Sequence, residues 1–78
     1  MIRIRATTLQ SFQSASGRRV SCRLEFKWGD EESWLSDGLR ECDEFEWKLL
    51  LITLQIGFKY VNSVKFEYVD QSEENALP

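Results

Sequence analysis

An α+β fold is what this 78-residue sequence predicts: an antiparallel sheet of three or four strands with one main helix packed on one face. Three observations predict it. Val20, Cys22, Leu24, Phe26 and Trp28 alternate with Ser21, Arg23, Glu25 and Lys27, the period of a half-buried strand. Residues 44–56 lie between a helix start signal and a helix stop signal. Val64, Phe66 and Tyr68 alternate again with Lys65 and Glu67 after the turn-forming pair Asn62-Ser63. The expected order is β-β-(β)-α-β, with residues 1–70 as a single α+β domain. The polar, acidic stretch 71–78 is read as a disordered tail.

At the start of the chain, Ile2 and Ile4 alternate with Arg3 and Arg5, which predicts a strand. That strand is expected to continue as far as Leu9. The Ser, Thr and Gln residues of Thr7–Gly17 read mostly as a loop, closing near Ser16-Gly17. The strand of Arg18–Trp28 would then pair with the first as an antiparallel hairpin. Gly29-Asp30 follows as a tight turn. Glu31–Ser36 fits either a third strand or a short helix through Trp34 and Leu35, with Asp37-Gly38 as the next turn.

Asp43 has the chemistry of a helix N-cap, with Glu46 at the capping-box position three residues on. Cys42 and Trp47 occupy the two positions of a hydrophobic staple. Glu44 and Glu46 fall in the first turn, where the helix dipole favours negative charge. Gly57 suits the left-handed position that ends a helix. Leu50, Ile52, Leu54, Ile56, Phe58 and Tyr60 also alternate as a long strand would. The helix is preferred because both end signals agree with it and a central Gly57 weakens a strand.

The helix has two apolar stripes at about 100° per residue. One is Phe45, Leu49, Ile52 and Ile56; the other is Trp47, Leu50, Leu51, Leu54 and Phe58. A helix on one sheet buries only one of them. The second set is taken here as the outward one, either covered by the 7–17 loop or the acidic segment, or forming a homodimer interface or a groove for a partner.

The charge is divided along the chain. Residues 1–29 hold five arginines and one lysine against the single acid Glu25, whereas Asp30–Glu46 holds eight carboxylates against Arg40. The net charge of −3 conceals this split. Carboxylates interleaved with aromatics suit a basic protein surface of the kind that holds nucleic acid, steering encounter around a buried aromatic anchor. The partner-binding set is therefore Asp30, Glu31, Glu32, Trp34, Asp37, Glu41, Asp43 and Glu44. Arg3, Arg5, Arg18, Arg19 and Arg23 support a third reading, phosphate contact by an arginine-rich sheet face. Against it stand an acidic pI of about 4.9 and no RNA-binding motif. The arginines are read rather as solubilising an open sheet face and pairing with Glu25 and Glu67.

Other chemistry is poorly supplied. The chain has no histidine, no nucleophile elbow and no glycine-rich phosphate loop, so no catalytic residue, metal ligand or cofactor site is predicted. Cys22 and Cys42 fit no zinc spacing and read as two reduced thiols, with a single bridge between them as the alternative. The longest apolar run, Leu49–Ile52, has four residues, against the roughly 20 needed to span a bilayer. The chain is accordingly expected to be cytoplasmic.

In size, acidity and single-domain organisation the chain resembles the small inhibitors that phages encode against host defences, such as anti-CRISPR proteins. That resemblance implies a non-catalytic inhibitor or adaptor acting on a larger basic protein. The sequence thus supports a non-enzymatic interaction module first, a homodimer second and a nucleic-acid binder third.

Overall fold

The computed structural model describes residues 1–72. The tail read as disordered lies, from residue 73 onward, outside the described residues. The elements are β1 (Ile2–Ser14), β2 (Gly17–Trp28), β3 (Leu35–Ser36), β4 (Arg40–Asp43), α1 (Glu44–Phe58) and β5 (Val64–Asp70). Among the described residues these elements form an α+β unit, a five-stranded sheet with the helix α1 packed on it.

β1 and β2 make the expected antiparallel hairpin, with Ile4 opposite Phe26 and Ala6 opposite Leu24. The sheet as a whole is mixed, because β5 joins β1 in parallel, Ile4 beside Phe66. The cause is the path of α1. A parallel partner needs a crossover of a dozen residues or more, and α1 supplies it, returning the chain to the end of the sheet where β1 begins. The open edges are β5 on one side and β3 with β4 on the other.

The Ser/Thr/Gln-rich stretch expected as a loop is strand up to Ser14. It reaches the turn by way of a β-bulge: Thr8 faces Cys22, but Gln10 faces Ser21, leaving Leu9 as the extra residue. The bulge reverses which residues face the helix. Before it the even-numbered positions do so (Ala6, Thr8); after it the odd-numbered Ser11 does, opposite Val20. This phase slip hides the strand from a period-two reading.

The far edge is also interrupted. β3 pairs Ser36 with Glu25, and β4 pairs Arg40 with Cys22. The step from Ser36 to Arg40 is one residue longer than the step it matches on β2. Gly38, at φ +97°, absorbs the excess in a conformation that a side chain would strain. A short, broken strand of this kind is a poor template for pairing with another chain.

The core lies between the sheet and α1: Ala6, Val20, Cys22 and Trp47 are buried together, with Leu24, Cys42, Leu51 and Phe66 packed around them. Asp43 caps the helix as expected, its carboxylate accepting the Glu46 N–H at 3.1 Å. The stop differs. Gly57 is helical, the helix runs on through Phe58, and Lys59 caps it in right-handed conformation. The extra residue matters because Phe58 continues the Trp47, Leu51, Leu54 stripe, and it sits beside Val64 and Phe66 of β5. Ending at Gly57 would lift it off the sheet.

Candidate interaction face on the helix

The bulkier stripe of α1 faces the sheet. Trp47 is 4% exposed, and Leu51, Leu54 and Phe58 are half-buried. The dimer surface expected at Trp47, Leu50, Leu51, Leu54 and Phe58 is therefore corrected: this set supplies the helix's side of the core, and only Leu50, at its margin, is open to solvent. The physical reason is size. A Trp, a Phe and two leucines remove more apolar area from water than the opposite set, and the Trp indole finds a partner there. Trp47 Nε1 donates to Thr8 Oγ1 at 2.7 Å, and that hydroxyl is hydrogen-bonded to the Tyr68 hydroxyl at 2.7 Å.

The other stripe is left open. Phe45 is 73% exposed, Leu49 54%, Ile52 53% and Ile56 68%. The two covers the sequence offered are both elsewhere: Thr7–Ser14 is sheet, and the acidic segment runs along the β2 edge. Phe45, Leu49, Ile52 and Ile56 are spaced four, three and four residues apart, the seam spacing of a two-stranded coiled coil. Glu46, Lys48, Thr53 and Gln55 flank that seam. Monomers seldom expose a contiguous apolar patch of this kind.

The acidic set is brought together only in part. Asp43 is consumed as the cap. Glu44 accepts a hydrogen bond from the Ser11 hydroxyl and lies 3.6 Å from Arg18 and 3.5 Å from Lys48. The Ser11 bond chiefly, and the two cations after it, hold the Glu44 carboxyl below the usual carboxylate range. Glu41 pairs with Arg19 at 3.1 Å, and Asp37 with Arg40 at 2.7 Å. Asp30, Glu31 and Glu32 are exposed on the turn after β2 and make no ion pair among the described residues.

Trp34 lies on the face of the sheet away from α1, its ring 4.0 Å from the Arg5 guanidinium and 5.1 Å from that of Arg3. It is half-buried as a lid on the arginines. Beneath it, Arg5 makes two hydrogen bonds to Glu25, at 3.0 and 3.2 Å, and Arg23 approaches the same carboxylate to 3.4 Å. Arg3 pairs with Glu67 at 3.1 Å. The hydrogen bonds from Arg5 hold the buried Glu25 carboxyl below its ordinary range despite burial. These pairs engage the guanidinium groups that phosphate binding would require.

Among the described residues, no group of three or more His, Cys, Asp or Glu side chains is placed to hold a metal ion. Nor is any helix there long and apolar enough to cross a membrane. Set against known protein families, curated proteins and solved structures, the chain shows no significant match in any of the three comparisons.

Proposed function

We propose that this protein is a non-catalytic interaction module that works as a homodimer, two copies pairing through the outer stripe of α1 with their helices antiparallel. The uncovered Phe45, Leu49, Ile52 and Ile56 stripe carries this reading. Its four-three-four spacing is the same read in either direction. A two-fold axis between Leu50 and Leu51 therefore sets Phe45 against the partner's Ile56 and Leu49 against the partner's Ile52. The charges agree with that orientation. Glu44 and Glu46 mark the start of the helix and Lys59 caps its end, so each lysine falls near the other copy's acidic first turn.

Sedimentation velocity tests it. Wild type is expected to run as a dimer at high micromolar concentration, and the Leu49→Glu, Ile52→Glu double variant as a folded monomer with the wild-type circular dichroism spectrum. A monomeric wild type, or a variant that remains dimeric, overturns the proposal.

A second reading, an inhibitor or adaptor for a basic protein in the manner of anti-CRISPR proteins, is favoured by the exposed Asp30-Glu31-Glu32 turn, which makes no ion pair among the described residues. A dimer presents that turn twice, which raises avidity for an extended basic surface. Binding of such a partner should weaken with salt and with Glu31→Lys, Glu32→Lys reversal. A partner held equally well by the reversed variant does not use this turn.

A further inference from the structure

Cys22 and Cys42 lie on neighbouring strands with their Sγ atoms 3.4 Å apart. Both are free thiols, Cys22 fully buried and Cys42 half-buried. β4 opposes Cys42 to Val20 and Arg40 to Cys22, so the two cysteines are diagonal neighbours on the helix-facing side of the sheet. Both cysteines line an open cavity of about 300 Å³, with Arg40, Glu46 and Leu50 also on its walls. The wall combines a reachable thiol, a second thiol in contact with it, and a cation near both.

We infer that Cys42 and Cys22 form a thiol–disulfide exchange site that small-molecule disulfides of the glutathione class close into a reversible intramolecular bridge. The inference is independent of the homodimer reading. Cys42 is the attacking group because it is the one exposed in the cavity. Burial, and then the neighbouring thiol, push Cys22 up to about 12, so Cys22 remains protonated until the second step.

In the first step Cys42 gives its proton to water and the resulting thiolate attacks one sulfur of oxidised glutathione. The S–S bond breaks, one glutathione thiolate leaves and takes a proton from water, and a mixed disulfide forms on Cys42. In the second step Cys22 loses its proton to cavity water and its sulfur attacks Cys42 Sγ. The second glutathione leaves as thiolate and is protonated in turn. Two protein thiols are oxidised to one disulfide, and one oxidised glutathione is reduced to two thiols.

The geometry makes the bridge reversible. The sulfurs must close from 3.4 Å to a bond length of about 2.05 Å. Diagonal cross-strand positions are also spaced more widely than a relaxed disulfide favours. Movement has to come from β4, which is four residues long, lies at an edge and follows the irregularity at Gly38. A bridge formed against that strain is easily reduced. While it lasts, it ties β4 to β2 one residue before the cap Asp43.

The test treats the folded, reduced protein with oxidised glutathione, quenches in acid and reads intact mass and peptide maps. Wild type should lose two hydrogens and yield linked peptides containing Cys22 and Cys42, and reduced glutathione should reverse this. Cys22→Ser should stop at a single glutathione adduct on Cys42, and Cys42→Ser should take up none. Wild type that stays reduced, or that holds a lasting adduct without closing, overturns the inference. So does a bridge that excess reduced glutathione leaves intact. The wild-type peptide map alone decides the matter if either serine variant fails to fold.

Discussion

Trp47 joins three elements through one indole: its ring fills the space between α1 and the sheet, and its N–H reaches Thr8 on β1, whose hydroxyl meets Tyr68 on β5. A buried donor left without a partner costs more than the bond it loses. Thr8→Val should therefore destabilise the fold by about 1–3 kcal/mol, read as a lower urea midpoint with unchanged slope. Glu25 is the corresponding residue on the other face. Its folded-state pKa lies below the unfolded value, so the stabilisation is fully present above the unfolded carboxylate range. It is lost as pH falls through the lower, folded-state value. Wild type should lose stability on acidification below the model-peptide value of 4.5, and Glu25→Gln should flatten that part of the curve, measured by urea titration at stepped pH.

At the scale of elements, α1 is apolar on two opposite sides, so its helicity rests as much on its ends as on its faces. The Asp43 cap supplies one end. Asp43→Ala should cost about 1 kcal/mol and Asp43→Asn should recover most of it, both read from thermal unfolding. The cap was legible in the sequence because it needs only local chemistry: an acceptor side chain and a free N–H three residues on. The helix end was not, because Gly57 permits a stop without requiring one, and Phe58 is held by β5 across the fold. The bulge at Leu9 was equally hidden. A single extra residue in β1 moves every later side chain to the other face, and the residue itself carries no marker.

At the scale of the whole molecule, the described residues form a sheet covered by a helix on one face, with Trp34 and the arginine–glutamate pairs on the other, and none of them lies over the outer side of α1. An uncovered apolar stripe couples stability to association. If two copies share it, the thermal midpoint should rise with protein concentration, whereas that of the Leu49→Glu, Ile52→Glu variant should not. The charge split seen along the chain is largely resolved within the fold. Arginines of β1 and β2 meet Glu25, Glu41, Glu44 and Glu67, which leaves the Asp30-Glu31-Glu32 turn as a concentration of negative charge among the described residues.

The sequence by itself determined the α+β class, the β1–β2 hairpin, the helix start at Asp43 and the existence of two apolar stripes. Each depends on residues close together in the chain, where periodicity and capping act. Only the tertiary structure decided that β5 lies parallel to β1, that Trp34 covers arginines, and that Phe45, Leu49, Ile52 and Ile56 face outward. Those outcomes turn on which apolar surface fits between α1 and the sheet, a competition between distant residues that no local pattern records.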